Sequence, residues 1–114
     1  THHMLNKHLF NSMKDNAVFI NTGRGATVVE MDLISVLEER PTLTALLDVT
    51  FPEPPELTSP FYSMENVILT SHIAGSMNDE LARMADYIIH EFLRWEQEEP
   101  LQNQVTLDML TTLG

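Results

Sequence analysis

The sequence predicts an α/β layered domain, with a parallel sheet of about three strands and helices beside it. Three observations carry this. Short runs rich in apolar and β-branched residues stand apart at 17–21 (AVFIN), 43–49 (LTALLDV) and 66–70 (NVILT). Each run is continuously apolar rather than alternating, as expected of strands covered on both faces by helices. Segments with helical spacing lie between and around the runs, giving strand–helix–strand and then strand–helix.

Each element has its own warrant. Residues 6–13 (NKHLFNSM) read as a short helix before the first strand. Residues 30–39 (EMDLISVLEE) form the next helix, where Leu33, Val36 and Leu37 at i, i+3 and i+4 mark one buried face. Arg40-Pro41 ends it, because proline disfavours helix in the residue before it. Residues 51–60 (FPEPPELTSP) contain four prolines and read as a stiff, ordered loop. The clearest helix spans about 77–95, with Leu81, Met84, Ala85, Ile88, Phe92 and Trp95 in a stripe assigned to the core. Ser76 and Asp79, three apart, read as its capping pair. After Pro100 the chain reads as a connection, with one short helical turn at 107–113. A sheet of so few strands leaves an edge to be paired by a partner or by more chain.

Composition narrows the function. The chain has 114 residues, one domain's worth, and is 43% apolar, ordinary for a packed core. A formal charge of −11 argues against nucleic acid and against an anionic membrane surface. There is no cysteine, hence no disulfide, thiolate metal site or cysteine nucleophile. No run is long enough to span a bilayer and no basic-then-apolar leader is present, so a soluble cytoplasmic protein is expected. His2-His3 is an isolated pair, and no metal site is expected.

In parallel α/β sheets, ligands bind beyond the carboxyl ends of the strands. After the first strand comes Thr22-Gly23-Arg24-Gly25, after the second Asp48 and then Glu53, after the third Ser71-His72 and then Gly75. Taken singly, each has a plainer explanation: a surface cation, a solvated loop acid, a loop histidine. Their joint placement on one sheet edge is what points to a site. Histidine gives or takes a proton near neutral pH. A carboxylate beside it favours the imidazolium and fixes the ring. Arginine's planar fork matches a substrate carboxylate. The trio suits an acid bearing an adjacent carbonyl, with hydride brought by a carrier, since no side chain supplies it.

The residues also resemble a known family. THHMLNKHLFNSMKDNAVFINTGRG, LLDVTFPEPP and NVILTSHIAGS resemble, in order, the arginine, aspartate–glutamate and histidine segments of the D-isomer-specific 2-hydroxyacid dehydrogenases. The resemblance implies a partial Rossmann-like NAD-binding domain, with 1–99 as its C-terminal half and 100–114 as a tail. It implies NAD or NADP as cofactor, a small 2-oxoacid or 2-hydroxyacid as substrate, and a homodimer. Arg24 would hold the substrate carboxylate and polarise the carbonyl. His72 would be the acid–base group, and Glu53 would pair with it and raise its pKa. Thr22, Arg24, Asp48, His72 and Gly75 would face the cofactor, with Arg24 set between glycines so that its guanidinium has open access.

The sequence departs from the family pattern in places. Gly23 stands where a small side chain is common, and Thr50 intervenes before Phe51. No G-x-G-x-x-G is present, so the phosphate-binding half would lie upstream of Thr1. The isolated chain is therefore expected to be weakly active at most. The alternative reading is a non-catalytic assembly or interaction module that binds no cofactor.

Overall fold

The structure, a computed structural model, describes residues 1–111. It divides into two compact units, one over Thr1–Ala74 and one beginning at Gly75.

The first unit holds a sheet of three strands: β1 (Val18–Asn21), β2 (Thr44–Leu47) and β3 (Val67–Leu69). They lie in the order β1-β2-β3, and both pairings are parallel. Helix α1 (Lys7–Asn11) precedes β1 and helix α2 (Glu30–Glu39) carries the chain from β1 to β2. Asn6 caps α1 by accepting hydrogen bonds from the His8 and Leu9 amides, which satisfies donors left free at a helix start. Glu30 and Asp32 place negative charge on the first turn of α2, where the helix dipole favours it. Asp32 also accepts the Lys7 amide at 2.8 Å and so ties α2 to α1. Arg40 leaves the helical region at φ −129°, ψ 75°, as the proline after it requires.

The core lies between one face of this sheet and α1 and α2. Leu33, Val36 and Leu37 are buried as their spacing predicts, and Ile34 joins them. They pack with Phe10, Ala45 and Leu47. Phe61, from a 3₁₀ turn at Pro60–Tyr62 that ends the proline loop, joins the same cluster. Full burial of one such leucine or phenylalanine is worth roughly 1.5–3 kcal/mol.

The other face of the sheet departs from expectation. Register brings Ile20, Leu46 and Ile68 side by side, and of these Ile20 is 59% and Ile68 50% exposed. The continuously apolar strands predicted cover on both faces, but only one is covered among the described residues. A period-2 strand sends alternate side chains to opposite faces, so apolarity at every position states a need for cover without supplying it.

In the second unit, α3 spans Asp79–Glu96. Its stripe was assigned to the core; instead Leu81, Ile88, Phe92 and Trp95 are exposed, and no residue of α3 is buried. The capping pair is corrected too. The cap position falls on Asn78 and makes no side-chain capping bond, while the Ser76 hydroxyl donates to Met84 Sδ at 3.3 Å. Beyond it a 3₁₀ turn covers Asp108–Thr111, and residues 112–113 of the turn expected over 107–113 lie outside the described residues. No described helix is long and apolar enough to cross a membrane.

Candidate active site

Because all the strands run one way, their carboxyl ends gather at one edge of the sheet. Thr22 follows β1, Asp48 follows β2, and Thr70 follows β3. The edge is built in two parts.

At the end of β1, Asn21 organises the turn. It is 7% exposed; its Oδ1 accepts the Gly23 amide at 3.1 Å and its Nδ2 donates to the Arg24 carbonyl at 3.3 Å. This is the Asx-type wrap that asparagine makes readily. Thr22 and Arg24 are exposed, and the Arg24 guanidinium donates from Nη1 to the Gly23 carbonyl at 2.8 Å. Among the described residues Arg24 has no acidic partner, in a chain with 17 carboxylates. Lys7, Arg40, Arg83 and Arg94 all have one, and Lys14, like Arg24, does not. The glycines beside Arg24 need a different explanation from the access predicted for them. A Cβ on Gly25 would lie 2.0 Å from the Thr50 carbonyl oxygen, so only glycine lets the β1 turn pass against the chain leaving β2.

At the ends of β2 and β3, Asp48 is the organiser. It is 3% exposed, and its amide donates to the Asn21 carbonyl at 2.9 Å. Its Oδ1 accepts the Thr70 hydroxyl and, at 2.8 Å, the Ile73 amide; its Oδ2 accepts the Ala74 amide at 2.9 Å. These partners flank His72, which sits in the left-handed region at φ +58°. A non-glycine residue rests there only when its surroundings hold it.

His72 Nδ1 lies 2.7 Å from Glu53 Oε1. An ionised carboxylate only accepts, so this contact puts the proton on Nδ1 and directs Nε2 outward. Both side chains are nearly half exposed, 47% and 43%. An ion pair this open contributes about 0–1 kcal/mol to stability, which favours a chemical role over a structural one. Beside the pair is a cavity of about 270 Å³ lined by Asp48, Thr50, Glu53, Leu69, Thr70 and His72, among others.

Charge follows the hydrogen bonds. The Thr70 hydroxyl holds the Asp48 carboxyl below the usual carboxylate range; burial opposes this, and the Ile73 and Ala74 amides and nearby His72 add to it. Glu30 goes the other way: burial raises it, against the Phe51 amide that donates to Oε1 at 2.7 Å.

The structure thus brings Glu53, His72 and Asp48 together. Arg24 stands apart at the β1 end of the same edge and does not line the His72 cavity. Asp48, expected to face a nicotinamide, has both oxygens committed inside the protein. Sequence reasoning missed Asn21 and Thr70. The position of each as the last polar residue of an apolar run was the available signal. Gly75, expected to face the cofactor, lies in the second unit, and no described residue lies within 4 Å of a Cβ built on it.

The carboxyl edge of the parallel sheet thus carries a carboxylate-held histidine and, at the end of β1, an arginine with no acidic partner among the described residues. Comparison with known proteins makes this specific: the chain belongs to the D-isomer specific 2-hydroxyacid dehydrogenase family, whose NAD binding domain matches residues 1–74. It is 35% identical to glyoxylate/hydroxypyruvate reductase B of Cronobacter sakazakii over 92% of this chain and 32% of that protein. It is 34% identical to the glyoxylate reductase of Thermococcus litoralis over 98% of this chain and 34% of that protein. Among solved structures it resembles a D-isomer specific 2-hydroxyacid dehydrogenase from Xanthobacter autotrophicus in complex with NADPH and MES. That match has a TM-score of 0.78 and 34% identity, covering 93% of this chain and 43% of that one. The chain spans about a third of the length of these curated relatives.

Proposed function

We propose that this chain carries the acid–base and substrate-anchoring residues of an NAD(P)-dependent reductase of small 2-oxoacids. The 2.7 Å contact between His72 Nδ1 and Glu53 Oε1 at the carboxyl edge of the sheet carries the proposal. A reduced nicotinamide, when bound, supplies the hydride. His72 delivers a proton from Nε2 to the carbonyl oxygen, completing the 2-hydroxyacid, and takes it back in the reverse direction. Glu53 holds the ring by Nδ1 and balances the imidazolium. Arg24, which has no acidic partner among the described residues, receives the substrate carboxylate through its two-pronged fork. Thr22 and Gly75 offer backbone to the cofactor. The domain assignment of 1–99 as half of a Rossmann-like NAD-binding domain, a homodimer, and a cytoplasmic setting belong to the same reading.

The test is NADH or NADPH oxidation with glyoxylate or hydroxypyruvate by the protein bearing the whole cofactor domain. His72→Ala is expected to lower kcat/KM by about 10²–10⁴, and Arg24→Ala to raise KM for the acid strongly. Near-normal rates in both variants overturn the proposal. One observation favours a second reading, a non-catalytic assembly module: the uncovered apolar face at Val18, Ile20 and Ile68. A stable oligomer that binds neither NADH nor NADPH would favour it.

A further inference from the structure

We propose that Glu30 is a positioning residue for Glu53, holding the loop that carries it by the Phe51 amide. The inference deepens the functional reading above and rests on it for its catalytic meaning. It starts from what the loop lacks. After β2 the chain enters FPEPPELTSP, in which Pro52, Pro54, Pro55 and Pro60 have no N–H to give. Among the described residues, no amide from Phe51 to Thr58 donates to a backbone carbonyl. The stretch leading to Glu53 is therefore held by side chains. Thr50 is buried against the turn at Gly25. Its hydroxyl donates to the Pro52 carbonyl at 2.8 Å, which shapes the stretch without tying it to another element. The Phe51 ring is exposed and does not anchor it. Among the described residues, the hydrogen bond that does tie this stretch to another element is the Phe51 amide donating to Glu30 Oε1 at 2.7 Å. Glu30 is a firm anchor because it opens α2, whose Leu33, Ile34, Val36 and Leu37 are buried in the core. It does not line the His72 cavity. Burial pushes its carboxyl above the usual carboxylate range, against the Phe51 amide. A half-buried acid of this kind is unfavourable for the fold alone, which favours a role set by the donor it accepts. The contacts then run from helix to loop to ring. Glu30 holds Phe51, Glu53 follows two residues on, and Glu53 Oε1 meets His72 Nδ1 at 2.7 Å.

Two substitutions of opposite kind test the proposal in the 114-residue chain. Glu30→Asp keeps the negative charge on the first turn of α2 but is one methylene too short to reach the Phe51 amide. Glu30→Gln loses the charge but keeps an acceptor oxygen at the same reach. In Glu30→Asp, hydrogen exchange by NMR is expected to speed up about threefold or more at the Phe51 amide. The nuclear Overhauser effect between the His72 ring and the Glu53 side chain is expected to fall by about half or more as the loop loses its tie. The Thr44 and Ala45 amides, which donate to the Ala17 and Asn66 carbonyls in the sheet, are expected to stay within about twofold. Glu30→Gln is expected to match the wild-type chain in all three readouts. This rescue separates positioning from general support of the helix by charge, which would survive in Glu30→Asp and fail in Glu30→Gln. An intact His72–Glu53 contact in a folded Glu30→Asp chain overturns the proposal, and so does loss of that contact in Glu30→Gln. If Glu30→Asp does not fold, Glu30→Ala decides, with the same loss of contact expected and an intact contact overturning the proposal. None of these readouts needs turnover, so a failed reductase assay sinks the enzymatic reading alone.

Discussion

The two halves of the sheet edge are built on opposite plans. At β2 and β3 nearly every polar group has a partner. Asp48 takes three donors, and Glu53 takes the imidazole. At β1 the turn is wrapped by Asn21, but its cation is left without an acid. The difference shows which group must be fixed in advance and which must stay available. On the proposed function, the imidazole is a proton donor that works only in one direction, so it is held before anything binds. On the same reading Arg24 is an anion binder, and one already paired would have to break that pair first.

The contrast can be broken most forcefully at Gly25. Gly25→Ala would drive a methyl group into the Thr50 backbone, 2.0 Å from its carbonyl oxygen. A loss of about 3 kcal/mol or more is expected, as for overpacking against rigid backbone. A denaturant melt measures it, and a change below about 1 kcal/mol would show that the two turns do not press together. Next in size is Leu37→Ala, in the core beneath the edge at 2% exposure. It is expected to cost about 2–5 kcal/mol by the same melt.

Acid titration sharpens the comparison without changing the fold. Asp48 has its folded pKa depressed, so its stabilisation is present above its unfolded value of about 3.9 and is lost as pH falls through the lower folded value. Asp48→Asn should flatten stability against pH in that acid range. Glu30 has the opposite sign, its folded pKa being raised. Its folded form binds the proton more tightly, so stability is greatest below about 4.3 and declines as pH rises through the raised value. Glu30→Gln should remove that decline, and a denaturation series from pH 3 to 7 separates the two residues. The smallest effect is expected at Gly75, where a Cβ meets nothing within 4 Å. Gly75→Ala should shift stability by no more than about 0.5 kcal/mol.

Much of this was legible in the sequence. The three apolar runs gave the strands, and strand ends pointed to Arg24, Glu53 and His72, of which the structure pairs Glu53 with His72 and leaves Arg24 apart at the β1 end. The α2 face followed from spacing alone. What stayed hidden depends on distances between segments far apart in the chain. Asp48 lies 26 residues before Ala74, and nothing local says that its oxygens turn toward that amide. The reason for Gly25 is the carbonyl of Thr50, which no turn propensity reveals. Periodicity found the stripe on α3 correctly but overreached in calling it core. A moment identifies the face that prefers to be dry, not whether this chain supplies the cover.

The bare face of the sheet at Val18, Ile20 and Ile68 has a colloidal consequence. Molecules carrying −11 charges repel at low ionic strength, and that repulsion keeps such faces from meeting. In about 1 M salt the Debye length shrinks to roughly 3 Å, and sticky patches can then find one another at short range. The particle mass seen by light scattering should therefore climb with added sodium chloride, and adding a charged side chain at Ile20 should suppress the climb.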